Sequence, residues 1–397
     1  MRAAVDASLA SGTAGQAVLH AYLARSGAPG EAALARECLD AAIEAAGRVP
    51  MEGSLFTGFV GIGWAMEHTS RLLAAGGADR GDDGNAGEPE DPLDSIDETL
   101  LTALGSDAAL GDYDLVSGLA GLGVYALERL PRANARECLR LVVDRLAERA
   151  ERVGGGLAWR TPAERMPGGV RKAGPYDLGT AHGIPGVIAL LAQACAWNVA
   201  AERAREILGG AVSWLLEQRL DPFGPGCFAA TAGPGGGRQP ARLAWCYGDA
   251  GIGAALLVAA RAAGEAAWAS EAIAIGRAAA ERSDEGSGVR DGGLCHGAAG
   301  LAHIFLRLHH ATGEALFADA AALWLSKALE LERAGGLDGF PSWFTPEDSA
   351  SRWVADPGVL RGAAGVGLAL LAATSTIEPA WDRALLLSGR RPEEAVA

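Results

Sequence analysis

The hydrophobic pattern of this chain alternates between two kinds of segment. One is apolar nearly all round and opens on a glycine pair; the other carries an apolar stripe on a charged background. The clearest stripe lies in ARECLRLVVDRLAERAERV, where Leu139, Val142, Val143 and Leu146 recur at i, i+3, i+4 and i+7, the period of a helix with one buried face. Mixed patterns of the same kind cover 204–220 and 320–332. The apolar segments begin with G-x-x-G, and this unit occurs seven times, at Gly12, Gly58, Gly118, Gly183, Gly248, Gly297 and Gly362. The spacings of 46, 60, 65, 65, 49 and 65 residues leave room for one inner and one outer helix per repeat.

A stack of helical hairpins needs polar ends if it stays open. The seventh unit, RGAAGVGLALLAAT, is as apolar as the middle ones, so the repeats are expected to close into an all-α, α/α toroid of seven hairpins in a single domain spanning 1–397. Ser11, Thr57 and Ser117, each just before a first glycine, are expected as N-caps. The glycines are expected where seven helix ends converge at one mouth, since glycine inside a helix costs about 1 kcal/mol relative to alanine and needs a packing reason. Strand signals are thin. Loops are expected at 76–95, which is acidic and reads as solvated, and at 154–178, 221–240 and 335–358.

Composition sharpens this picture. Glycine accounts for 56 of 397 residues, but hydrophobic residues make up 49%, which excludes a disordered chain. A net charge of −15 with no basic patch argues against nucleic-acid binding. The longest charge-free apolar stretch, 183–201, contains Pro185, Gln193 and Asn198, and reads as a buried helix rather than a transmembrane segment. The N-terminus lacks a signal core, and six cysteines form no CxxC pair, which points to a reducing cytoplasm. Cys38, Cys138 and Cys195 fall inside helical segments and read as small buried hydrophobes.

Aligning the repeats on the first glycine brings out the chemistry. The preceding residue is Ser11, Thr57, Ser117, His182, Tyr247, His296 and Arg361; the one before that is Ala10, Phe56, Val116, Ala181, Cys246, Cys295 and Leu360. Equivalent repeats would bring these side chains to one mouth. Cys246, Cys295 and His296 are then three soft ligands suited to Zn²⁺ with a fourth position open, the pattern of a catalytic rather than a structural zinc.

These motifs, LAWCYGDAGIG, LCHGAAG, TAHGIPG, YDLVSGLAG and VLRGAAGVGLALL, resemble those of the lanthionine synthetase C-like family, the cyclases of lanthipeptide biosynthesis. The resemblance runs from the first glycine pair to the seventh, and the length is similar to that of the stand-alone cyclases. It implies an α/α toroid and assigns Cys246, Cys295 and His296 as zinc ligands. His182 matches the catalytic histidine and Asp114 an essential acid, while Arg242 and Tyr247 match two further active-site residues. Asp114 could also be a plain helix cap. Arg242 would support an enolate or hold Asp114, and Tyr247 would hydrogen-bond substrate or the zinc shell. The family's small β-rich insert has no clear strand signal here.

The implied reaction adds a peptide cysteine thiol to dehydroalanine or dehydrobutyrine in the same peptide, closing a thioether ring. A dehydrated precursor peptide is the implied substrate, with a dehydratase and a transporter as implied partners. Rival readings are a transferase adding glutathione or another external thiol, a non-catalytic peptide-binding scaffold, a zinc prenyltransferase subunit and an (α/α) glycosidase. The last two fit poorly: the WCYG and CHG pair argues against the prenyltransferase, and a carboxylate pair is missing for the glycosidase.

Overall fold

The computed structural model describes residues 6–75, 91–106, 112–162, 176–220, 226–337, 339–345, 350–390 and 392. Much of the expected loop 76–95, the centres of those at 154–178 and 335–358, and the start of that at 221–240 lie outside these residues. Seven inner helices follow the seven glycine pairs: α1 (Thr13–Arg25), α3 (Phe59–Ala74), α5 (Leu119–Arg129), α7 (Ile184–Ala196), α9 (Asp249–Ala263), α12 (Ala298–Thr312) and α14 (Ala363–Thr374). Outer helices α2 (Glu31–Ala46), α4 (Asp94–Gly105), α6 (Ala133–Arg149), α8 (Ala201–Glu217), α10 (Ala266–Glu281) and α13 (Ala315–Glu330) alternate with them, and α11 (Asp284–Ser287) is a single turn. Each inner helix packs on the next, and α14 returns to α1, so the ring is closed. Helix α7 is buried over nearly its whole length, as the uncharged stretch predicts. The stripe of α6 is buried at Leu139, Val142, Val143 and Leu146. No helix among the described residues is long and apolar enough to cross a membrane.

A circle of backbone hydrogen bonds joins the repeats at the mouth. The residue two before each first glycine, or its neighbour, donates to the equivalent carbonyl of the next repeat. Ala10 donates to Phe56, Phe56 to Val116, Leu115 to Ala181, Ala181 to Cys246, Cys246 to Cys295, Cys295 to Leu360, and Leu360 back to Ala10, at 2.7–3.5 Å. One bond per repeat therefore holds this register in a ring, which is why residues so distant in sequence meet.

The glycines have a more local cause than convergence alone. Before each inner helix the loop doubles back, and its carbonyls cap the first turn: Leu119, Ala120 and Gly121 donate to the carbonyls of Asp112, Tyr113 and Asp114. Backbone oxygens thus replace side-chain caps. Gly12, Gly58 and Gly118 are the N-cap residues themselves, without side-chain capping, so Ser11, Thr57 and Ser117 do not have the expected role. A Cβ on Gly58 would stand 1.9 Å from the Glu52 carbonyl oxygen, and one on Gly61 1.8 Å from that of Leu55. Convergence adds to this at the second glycine, where the neighbouring repeat's side chain closes in, Val359 on Gly15 and Leu9 on Gly61.

Gly61→Ala is therefore expected to cost more than about 3 kcal/mol, because backbone rather than a pliable side chain must move. Gly209→Ala, in open space on α8, is expected to be neutral or to gain up to about 1 kcal/mol. Denaturant midpoints of the two variants check the contrast; equal midpoints would refute the capping account.

The expected loops contain more structure than their composition announced. Helix α4 starts at Asp94, and Asp91, Asp94 and Asp97 gather with Glu67 on the fully buried guanidinium of Arg129, so the end of the acidic segment is paired as well as partly exposed. Three antiparallel pairs also appear: β1 (Glu151–Val153) with β2 (Gly156–Ala158), β3 (Tyr176–Asp177) with β4 (Thr231–Ala232), and β5 (Ser342–Phe344) with β6 (Arg352–Val354). The seventh repeat differs in its second half. After α14 the described chain forms a 3-10 turn, Ala380–Leu385, with buried Trp381, Asp382 and Leu385. The indole of Trp245 donates to the Leu385 carbonyl at 2.9 Å, and His303 and Arg307 bind Asp382. Leu9, Phe56, Trp64, Trp381 and Leu385 leave only about 10 Å³ between them, so this turn fills the ring beneath the mouth.

Candidate metal centre and active-site mouth

Cys246 and Cys295 hold equivalent places in adjacent repeats, joined by the 3.1 Å bond from the Cys246 amide to the Cys295 carbonyl. Their sulfurs and a ring nitrogen of His296 lie within 4.8 Å of one another, and no other such group of His, Cys, Asp or Glu occurs among the described residues. Tetrahedral zinc with two sulfur ligands and one nitrogen ligand sets donor atoms about 3.3–3.8 Å apart, within that span, and the borderline-soft donor set suits it.

Electrostatics separate this pair from the other thiols. Burial pushes the thiol of Cys138 up to about 12 and that of Cys227 up to about 11, and raises Cys38 and Cys195 as well. Cys246, although buried, is held well below the ordinary thiol range: Cys295 donates to its sulfur, and His296 and Arg242 add to the effect. Cys295 in turn keeps its proton, because it supplies that hydrogen bond. Arg242 Nη2 stands 3.7 Å from Cys246 Sγ. The guanidinium thus serves the sulfur rather than Asp114, which is occupied elsewhere.

Asp114 does two things. Its Oδ1 accepts from the Ser117 amide at 2.8 Å, shaping the turn before α5, and its Oδ2 binds His182 Nδ1 at 2.5 Å. A carboxylate almost wholly buried thus orients a ring whose side chain is 43% exposed at the mouth. Burial acts against the charged imidazole, but the Asp114 hydrogen bond and charge outweigh it, with help from Asp177, so the pKa of His182 is raised.

Tyr247 donates to Asp177 Oδ2 at 2.7 Å and makes no hydrogen bond to a cysteine or to His296. Asp177, placed by β3 and anchored by the Gly179 amide at 2.7 Å, is pushed up to about 6 by burial against those two hydrogen bonds. Sequence reasoning missed Asp177. The signal was present six residues before each first glycine, where the repeats read Asp6, Glu52, Asp112, Asp177, Arg242, Asp291 and Asp356. Asp177, Asp291 and Asp356 each accept from the amide two residues on. Arg242 is the single cation of that register, and it is the residue beside the sulfur.

Beside the ligands opens a cavity of about 460 Å³, lined by Arg242, Arg290, Asp291, His296, Trp343, Phe344 and Arg361, among others. Its wall is the β5–β6 hairpin, pinned by the Trp343 amide on Asp291 Oδ2 at 3.0 Å.

The description "Lanthionine synthetase C-like protein" belongs to the family whose profile matches residues 3–386 of this chain. Among solved structures, one titled "Nisin cyclase" superposes with a TM-score of 0.73 at 18% identity, covering 97% of this chain and 93% of the other. No curated protein matches by sequence.

Proposed function

The chain belongs to the lanthionine synthetase C-like family, and from that premise we propose that it is a zinc-dependent cyclase forming lanthionine and methyllanthionine rings. The observation that carries the proposal is the meeting of two elements at one mouth: the Cys246, Cys295 and His296 donors, and the His182–Asp114 pair. Bound by those three residues, zinc would supply an open position at which a peptide thiol is held as thiolate near neutral pH.

The remaining work falls to the chain's own groups. The thiolate sulfur adds to the β-carbon of dehydroalanine or dehydrobutyrine, and the electron pair moves onto the acceptor carbonyl. The thiol proton leaves to solvent, and His182, kept in its orientation as the imidazolium by Asp114, gives a proton to the α-carbon and regains one from solvent. Arg242 presents its guanidinium to the developing negative charge. Tyr247, fixed by Asp177, offers a polar wall that orients the peptide. The substrate is a dehydrated precursor peptide, supplied by a dehydratase and exported by a transporter, and the setting is the cytoplasm.

The test incubates zinc-loaded protein with a dehydrated precursor and counts free thiols by alkylation. Loss of thiols without mass change supports ring closure; unchanged thiols with a matched substrate would sink it. Because His182 is open to solvent, the same mouth would also admit an external thiol, and a mass gain equal to glutathione would establish that second reading instead.

A further inference from the structure

The cavity beside the metal ligands carries two cations, Arg290 and Arg361, that the proposed chemistry leaves unexplained. Arg242, Arg290 and Arg361 all line it, in a chain whose net charge is −15. Arg290 lies over the Trp343 ring at 5.9 Å and Arg361 over Phe344 at 5.7 Å, so two guanidinium planes are presented by aromatic faces. Among the described residues the acids nearby pair with only one of them, Arg361. Asp291 is buried and occupied by the amides of Gly293 and Trp343, and Asp356 lies 3.5 Å from Arg361. Among the described residues Arg290 has no carboxylate partner. The hairpin that supplies both aromatic rings is anchored five residues before His296, so the pocket is built onto the metal centre.

We propose that this pocket is a subsite for a carboxylate carried by the substrate peptide close to its reacting cysteine. The carboxylate is the side chain of an acidic residue within one or two positions of that cysteine, or the peptide's own C-terminus. Arg290 and Arg361 clamp it between the aromatic faces while the thiol reaches the ligands, in the manner of forked guanidinium recognition. The inference rests on the cyclase reading for its substrate, but it is read by binding and not by turnover.

Calorimetry on the zinc-loaded chain would compare acetyl-Cys-Glu-amide, acetyl-Cys-Gln-amide and acetyl-Cys-Gln with a free C-terminus. The Glu probe or the free-acid probe is expected to bind about tenfold tighter than the neutral one, and the better of the two identifies the source of the carboxylate. R290Q is expected to remove most of that preference while leaving affinity for the neutral probe and zinc content unchanged. R361Q is expected to do the same, with R290Q deciding if loss of the Asp356 pair unfolds the chain. Equal affinity for all three probes, no binding of any, or a preference that survives R290Q overturns the proposal. A chain that prefers the acidic probes yet closes no ring keeps the pocket and loses the cyclase reading. One that closes rings without preference does the reverse.

Discussion

Cys295→Ala is expected to empty the metal centre, lowering zinc from about one ion per chain to near zero and thiol consumption to background. Three protein donors are present, and removal of one leaves two, too few to hold the ion against solvent or a mild chelator. The fold should survive. What Cys295 contributes to the ring of repeats is its amide, donated to Leu360 at 2.7 Å, and its carbonyl, which accepts from Cys246; alanine keeps both. Metal analysis and a melting curve on the same sample separate loss of zinc from unfolding. Cys195→Ala, on helix α7, supplies the control and should retain its zinc. Full zinc in Cys295→Ala would refute the site.

His182→Asn is expected to keep zinc and fold but to slow ring closure by about 10²–10⁴-fold, the usual worth of a positioned general acid–base group. Asp114→Asn should act through the same ring with a signature of its own. The hydrogen bond and charge of Asp114 raise the pKa of His182, so the protonated form persists to higher pH than in a free imidazole. The histidine's favourable interaction is fully present below its unfolded pKa and fades as pH rises through the raised folded value. A rate that depends on the imidazolium falls along the same limb. Without the carboxylate that limb moves to lower pH, whereas a purely structural role for Asp114 would lower the rate at every pH alike. A pH–rate profile of the variant distinguishes the two outcomes.

The glycine pairs made the repeat number, the inner helices and the site register legible, because a recurrence every 46–65 residues survives where local propensity is ambiguous. Cys246, Cys295, His296 and His182 fell into one frame because the backbone circle at the mouth makes the frame physical. What stayed hidden depended on contacts between repeats. Asp177 gains meaning from Tyr247, 70 residues away, and Arg129 from acids on α4. Strands of two or three residues carry no period, so β3 and the β5–β6 wall read as loop. Ser117 resembled a cap because carbonyl capping leaves no mark on side-chain composition.

The 3-10 turn beneath the mouth makes the toroid a cup and not a tunnel. With Trp64, Trp245, Trp381 and Leu385 forming its floor, a peptide of the proposed reaction would enter and leave by the mouth. On the cyclase reading, a precursor peptide would not be threaded through the ring and modified in passing. It would be presented as a bend, with both reacting residues facing downward and the two flanking arms leaving over the rim. Each further ring would then require the peptide to lift off, shift and settle again through the same entrance.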